Sequence, residues 1–278
     1  MKSFALSALA IAAASSTAFG AFTITDGNAT MTSSNTPNFP NSTLSTADFR
    51  PEGGTSTDHL FYYNWSYRAL SAGSTGIQSF SNLTSPTVVQ AGNTVTFTWS
   101  NNGPGSLGST RFDAVLTMVI TDGPVTGHAK MDATLVFTAA STNTAPTNWS
   151  IFNGHDFDVS GTTGSDAVTV NNTSAVEYTQ TDTATGFFAK AQGFGASRYQ
   201  VGGSSTIRNL LTGGGLTNLN NTASAAAGDN AGAFQWDVSG LAPGASVTIQ
   251  SSFLVAPTPG AAGLLGLAGL TGLRRRRA

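Results

Sequence analysis

The chain has 278 residues, no cysteine, 9% charged residues and a formal net charge of −2. The absence of cysteine excludes a disulfide framework and a thiolate metal site. Gly, Ser, Thr, Asn and Ala are abundant, which is typical of β-strands and long turns and untypical of a helix-rich enzyme.

Residues 1–20 have the three parts of a secretory signal peptide. Lys2 supplies the positive charge, residues 4–14 form a short apolar run, and Ala18 and Gly20 are the small residues at its end. The apolar run is too short to span a bilayer. We therefore predict export by the secretion machinery and cleavage after Gly20. The alternative is a buried N-terminal helix.

Residues 21–256 form the body, which we predict to be one all-β extracellular domain. It carries seven basic and fourteen acidic side chains, a net charge of −7, which argues against nucleic acid as a partner. Residues 21–58 contain three prolines and few apolar positions, so we expect a loosely structured segment with one strand at 22–24. Residues 203–231 indicate a long loop with one strand or helical turn near 207–211.

The other predicted strands alternate or concentrate apolar residues between turn signals. They lie at residues 60–68, 94–99, 112–121, 130–138, 149–159, 166–170, 175–180, 186–191, 199–201, 232–238 and 246–255. In the second of them Val95, Phe97 and Trp99 share one face. Asp122-Gly123 marks a hairpin between the third and the fourth. This series of short strands predicts a β-sandwich or jelly-roll-like fold.

Residues 156–166 begin like a calcium-binding loop. Oxygen-bearing side chains stand at Asp156, Asp158 and Ser160, Gly161 follows at the sixth position, and Asp166 comes one place before the twelfth. Hard cations favour such alternating oxygen ligands around a tight bend. This spacing gives a candidate calcium site at Asp156, Asp158, Ser160 and Asp166. The alternative is a strand end whose two first aspartates face water.

The aromatic residues of the strand at 60–68 give a candidate carbohydrate-binding surface. Tyr62, Trp65 and Tyr67 cannot all lie on one face of a strand, because successive side chains point to opposite faces. Some of these rings are therefore expected at the surface, where they would stack on sugars. The alternative is that they belong to the core, since aromatic side chains bury large areas.

The sequence contains no recognisable catalytic site. A Gly-x-Ser-x-Gly elbow is absent, and His59, His128 and His155 do not stand at metal-ligand spacing. A glycosidase needs two carboxylates roughly 5–10 Å apart, which either the first two aspartates of the calcium-like loop or Glu177 with Asp182 would supply. Any acidic β-protein offers such pairs, so we predict a non-enzymatic protein.

Residues 257–278 form a distinct tail. Pro257-Thr258-Pro259-Gly260 is an extended breaker, and residues 260–273 contain only Gly, Ala, Leu and one Thr. A membrane-spanning helix needs about 20 apolar residues. We therefore expect the span to include Val255, Ala256 and the prolines, or to lie in locally thinned lipid. A cluster of arginines at the end favours the cytoplasmic face: Arg274, Arg275, Arg276 and Arg277.

A breaker, an apolar helix and an arginine cluster, over residues 256–278, resemble the PEP-CTERM sorting tails of exported bacterial proteins. The chain has Pro-Thr-Pro where the usual signature has Pro-Glu-Pro. The resemblance implies that an exosortase-like membrane protease cuts near residues 257–260 and releases or re-anchors the body. The alternative is a permanent single-span anchor, for which the four glycines within the apolar run are poorly suited.

The body also resembles that of other tail-bearing exported proteins, in its stretches at 58–68, 152–161 and 234–244, a resemblance that implies no activity. We therefore expect a protein that is exported, transiently anchored in the membrane, and then located at the cell surface or outside the cell. The expected role is structural or adhesive, in the envelope or in extracellular polysaccharide. The alternatives are a carbohydrate-binding module or weak glycoside hydrolase, and a calcium-stabilised adhesion domain.

Overall fold

The computed structural model describes residues 22–33, 47–53, 56–70, 76–102, 110–164, 166–171, 176–215, 217–223 and 228–258. These residues form a mostly β domain, so the all-β class that the sequence predicts is confirmed. The strands within them are β1 Phe22–Asp26, β2 Ala29–Ser33, β3 Ala47–Arg50, β4 Tyr62–Ala69, β5 Gln78–Ser79, β6 Thr87–Ala91, β7 Thr94–Asn102, β8 Phe112–Asp122, β9 Ala129–Ala139, β10 Thr147–Asp156, β11 Asp166–Asn171, β12 Val176–Asp182, β13 Phe187–Phe194, β14 Arg198–Gly203, β15 Thr222–Ala223, β16 Asn230–Leu241 and β17 Ser246–Pro257. One α-helix, α1, spans Ser204–Thr212.

The larger layer is an eight-stranded antiparallel sheet with the order β11-β12-β13-β17-β9-β8-β7-β6. The predicted alternation in β7 is confirmed, because Val95, Phe97 and Trp99 are buried while the residues between them are not. The predicted hairpin between β8 and β9 is also present, with Asp122 paired to Ala129. Its connection is longer than the two residues that the Asp-Gly signal favours.

The second layer is a six-stranded sheet with the order β15-β14-β16-β10-β4-β5. Aromatic rings from both sheets meet between the layers: Trp149 of β10 lies 5.5 Å from Phe112 and 4.9 Å from Phe137, centroid to centroid. Both phenylalanines belong to the larger sheet. The two sheets therefore form a sandwich whose core is dominated by aromatic side chains.

A separate three-stranded sheet, β1-β2-β3, packs against the larger sheet. Phe22 of β1 packs edge-on against Phe97 at 5.6 Å, and Phe49 of β3 packs against Phe253 at 4.6 Å. The expectation of a loosely structured segment over residues 21–58 is therefore wrong for the part that the structure describes. Small inward residues such as Ala29 and Ser33 hide the alternation from a pattern based on large apolar side chains.

The outer face of the six-stranded sheet is covered by α1. Ile207 and Leu211 of the helix are buried against Tyr62 of β4 and Phe152 of β10. Arg68 also lies on this face, with its guanidinium 5.6 Å from the Phe152 ring centroid and Nη2 donating to Ser150 Oγ at 3.2 Å. The middle strands of this sheet are thus buried on both faces.

The predicted signal peptide and the tail from residue 259 onward lie outside the described residues. Among the described residues no helix is long and apolar enough to cross a membrane. Val255, Ala256 and Pro257 pair with β13 in the larger sheet and are buried. The expectation that Val255 and Ala256 contribute to a membrane span is therefore wrong, because both already belong to the sandwich.

Candidate metal centre

Three aspartates meet at one end of the six-stranded sheet. Asp156 is the last residue of β10, and Asp158 follows it before a 3-10 turn at Val159–Gly161. Asp229 directly precedes β16, and since Asp156 pairs with Ala231 of that antiparallel neighbour, the two chain segments lie side by side. One carboxylate oxygen from each aspartate lies within 4.8 Å of the others, a spacing at which one cation can contact all three.

Asp156 is the buried member of this carboxylate cluster. Its side chain accepts a hydrogen bond on Oδ2 from the hydroxyl of Ser204, at the start of α1, while Oδ1 has no hydrogen-bond partner. Burial raises the pKa of Asp156 to about 7, and repulsion from Asp229 and Asp158 adds to the shift. A buried carboxylate with an unsatisfied oxygen is costly unless a proton or a cation compensates it.

Asp158 is half-buried and shows the same electrostatic conflict. Burial raises its pKa to about 6, and repulsion from Asp229 and Asp166 contributes. The basic side chain that acts on the cluster is Arg208 of α1, which lowers the pKa of Asp156. That opposing effect is smaller than burial, so the site retains a deficit of positive charge.

Asp166, at the start of β11, lies beside the cluster and outside the group of three. Its Oδ2 accepts from Gln180 Nε2 at 2.6 Å, and the backbone of Val159 also contributes a hydrogen bond that lowers its pKa. Burial raises the pKa of Asp166, and the charges of Asp182 and Asp229 add to the rise. Asp166 therefore adds a further buried carboxylate next to the cluster.

Ser160 does not join the aspartates. Its backbone is left-handed, with φ of 60°, its hydroxyl lies 2.5 Å from that of Thr185, and its amide donates to His59 Nδ1 at 3.1 Å. Asp156 and Asp158 therefore lie together, as the spacing of a calcium loop predicts. The expected loop does not form, because the hydroxyl of Ser160 is hydrogen-bonded to Thr185. The third carboxylate of the cluster is that of Asp229.

Sequence reasoning missed Asp229. This residue is 71 positions beyond Asp158 and follows a Gly-, Asn- and Ala-rich stretch that indicates only a loop. No local motif links it to the aspartates after β10. Only the pairing of β10 with β16 places it there, and that pairing is a property of the whole sheet.

The proposed carbohydrate-stacking residues are buried. The exposed fractions of Tyr62, Trp65 and Tyr67 are 1%, 0% and 0%. Trp65 stacks on Trp236 at 6.0 Å between the sandwich layers, and Tyr62 lies on the other face under α1. The expectation that some of these rings form an exposed surface is wrong, since both faces of β4 are covered.

One of the two possible glycosidase pairs is not formed. Glu177 and Asp182 lie at opposite ends of β12 and, being five residues apart, on opposite faces of it. Glu177 forms an ion pair with Lys190 at 3.4 Å, while Asp182 accepts a hydrogen bond from the hydroxyl of Thr185 at 2.5 Å. These two carboxylates therefore cannot act on one substrate bond.

No protein-family model matches the chain, and no curated protein matches it. A solved structure of a bacterial glucoamylase complexed with acarbose is similar, with a TM-score of 0.51 and 10% sequence identity. The match covers 91% of this chain and 34% of the glucoamylase chain, so this chain spans about a third of that protein. At this identity the likeness concerns the fold alone: the described domain shares a β architecture with part of the glucoamylase chain.

Proposed function

We propose that this protein is an exported, non-enzymatic β-sandwich of the cell surface or extracellular matrix, held together at one end by a hard divalent cation such as calcium. The observation that carries the proposal is the carboxylate cluster of Asp156, Asp158 and Asp229, in which the buried Oδ1 of Asp156 has no partner. Oxygen ligands of this kind suit calcium, which binds carboxylates at roughly 2.3–2.6 Å.

A cation at this position would have a structural consequence. β10 and β16 are adjacent inner strands of the six-stranded sheet, and the 3-10 turn after Asp158 leads to β11 at the edge of the other sheet. A cation bound there would tie the two sheets together across that turn. This role fits a domain that has no disulfides and works outside the cell.

Calcium is expected to raise the melting temperature of the full chain, and a chelator to lower it. An ion that binds only the folded state stabilises it by about 2.7 kcal/mol at a hundredfold excess over its dissociation constant. The measurement is thermal unfolding in calcium, in magnesium and in chelator.

The double variant Asp158→Asn/Asp229→Asn is expected to lose the calcium response. It is also expected to be at least as stable as the wild type in chelator, because it relieves the repulsion between the carboxylates. The matched control is Asp132→Asn, which removes a partly exposed aspartate ion-paired with Lys130 and should keep the response. Equal melting temperatures of the wild type in calcium and in chelator would refute the cation proposal.

We also propose that residues 1–20 direct export and that residues 257–278 act as a sorting tail read by an exosortase-like enzyme. The support from the structure is the position of the boundary. β17 ends at Pro257, and the amide of Thr258 still donates to Gly186 O at 2.6 Å. A cut just beyond Thr258 would therefore release a domain with its last strand complete.

Deletion of residues 259–278 is expected to abolish processing and surface retention while leaving the folded domain unchanged. The measurement is fractionation of the producing bacteria, with mass spectrometry of the mature protein. Replacement of Arg274, Arg275, Arg276 and Arg277 by serine is the matched variant, since it keeps the apolar segment and removes the charge signal. Unchanged localisation and an unchanged mass in both variants would contradict a sorting role.

A further inference from the structure

A cleft of about 250 Å³ is lined in part by Ser160, in the turn that follows Asp158. Its walls come from the segment after β3, the turns between β8 and β9 and between β12 and β13, and the 3-10 turn itself. The side chains that matter are Glu52, His59, Ser160, Thr185 and Phe187. The volume lies just below the roughly 300–1,000 Å³ typical of drug-sized ligands, so it suits a ligand of about one ring.

The imidazole of His59 presents a hydrogen-bond donor. Its Nδ1 accepts from the amide of Ser160 at 3.1 Å, so a neutral ring carries its proton on Nε2. Burial lowers the pKa of His59 to about 4, which keeps the ring neutral in ordinary buffers. The Nε2–H group is therefore available to a molecule in the cleft.

Two other lining residues of the cleft present acceptors. Thr185 donates its hydroxyl proton to Asp182 Oδ2 at 2.5 Å, so Ser160 Oγ, at 2.5 Å from Thr185 Oγ1, donates to it. The free lone pair of Ser160 Oγ can then accept from a ligand. The exposed carboxylate of Glu52 is a second acceptor, and its charge disfavours an anionic ligand.

One wall of the cleft is aromatic. Phe187 is half-buried and packs on His59 with ring centroids 5.3 Å apart. Gly127 passes close to the edge of this ring: with φ of 80°, a Cβ there would lie 2.8 Å from Phe187 Cε1. The absence of a side chain at Gly127 therefore allows its backbone to pack against the edge of the Phe187 ring, which lines the cleft.

We propose that this cleft binds one neutral sugar ring, with the apolar face of the ring against Phe187 and its hydroxyls on His59, Ser160 and Glu52. A sugar offers vicinal hydroxyls that donate and accept, which matches a lining with one donor and two acceptors. It also offers a C–H face for an aromatic wall. The left-handed Ser160 supports this assignment, since strained non-glycine residues concentrate at binding sites. This inference does not depend on the cation proposal.

Saturation-transfer NMR on the full chain, in calcium-containing buffer, tests the cleft with the methyl glycosides of glucose, galactose and mannose as probes. At least one glycoside is expected to bind the wild type. Phe187→Leu is expected to weaken that binding about tenfold, through loss of the aromatic face, and Glu52→Gln at least severalfold. The matched control is Phe194→Leu, which changes an exposed phenylalanine at the other end of the same strand and should bind like the wild type.

Melting temperatures of the variants separate loss of binding from loss of fold. The absence of saturation transfer from all three glycosides to a folded wild type would overturn the proposal. Equal weakening by Phe194→Leu and Phe187→Leu would do so too, as would tighter binding of glucuronate than of the glucoside. A failed calcium response with intact sugar binding would refute only the cation proposal.

Discussion

Replacement of Trp65 by alanine is expected to lower the free energy of unfolding by about 3–5 kcal/mol, a large part of the roughly 5–15 kcal/mol available to a folded domain. Trp65 is fully buried, stacks on Trp236 at 6.0 Å, and donates from Nε1 to the hydroxyl of Tyr63 at 2.8 Å. Alanine would leave a cavity between the two sheets and remove the donor to that hydroxyl.

The measurement is urea unfolding followed by tryptophan fluorescence. The matched control is Leu70→Ala, one residue beyond the same strand, where the side chain is 43% exposed and the expected change is within about 0.5 kcal/mol. A Trp65→Ala protein with unchanged stability but weakened glycan binding would contradict the buried position and restore the stacking hypothesis. Weakened glycan binding in a destabilised variant would not do so, because an unfolded domain binds no ligand.

The two faces of β4 show what a strand pattern can predict. Period-2 alternation correctly separates Tyr62 from Trp65 and Tyr67, which lie on opposite faces of the sheet. It does not show that the outer face is also covered. The cover is α1, from a segment in which the sequence indicates a long loop with one short element. Whether a face is buried depends on which segment packs over it, and that information is non-local.

The same limit applies to the candidate metal centre. The spacing of Asp156 and Asp158 locates two members of the carboxylate cluster, because both follow one strand and are neighbours in the chain. The third member, Asp229, is placed there by the pairing of β10 with β16. The position of Ser160 depends on its left-handed backbone conformation. Neither can be predicted from the spacing of residues in the sequence. Seven of the eight strands of the larger sheet are predicted from the sequence, because each shows local alternation or a local apolar run, whereas β6 of that sheet and the short strands β2 and β3 are missed.

Replacement of His155 by leucine is expected to stabilise the protein at acid pH relative to the wild type. His155 is buried in the core, and neither ring nitrogen has a hydrogen-bond partner. Burial lowers its pKa from 6.5 to about 3. Rings surround it on several sides: Tyr63, Phe157, Tyr178, Phe234 and Phe253.

The direction of the effect follows from proton linkage. Between pH 6.5 and about 3 the unfolded chain binds a proton at His155 that the folded chain does not bind. The contribution of His155 to the stability of the wild type therefore falls as the pH falls through this window, by about 1.4 kcal/mol for each pH unit. Leucine does not titrate. Between neutral pH and pH 4, the free energy of unfolding of the variant should therefore rise by about 3 kcal/mol relative to that of the wild type.

Urea unfolding from pH 7 to pH 4, in chelator, measures this difference. The raised pKa values of Asp58, Asp156 and Asp158 act in the opposite direction, since those carboxylates favour the folded state as the pH falls. They are present in both proteins and cancel in the comparison. Phe157→Leu is the matched control: its ring stacks on His155 at 5.9 Å and does not titrate, so its stability offset should be nearly independent of pH. A pH-independent offset for His155→Leu as well would mean that the imidazole is solvated or hydrogen-bonded in the folded protein, because only an unsatisfied neutral ring in the core makes acid destabilising at this position.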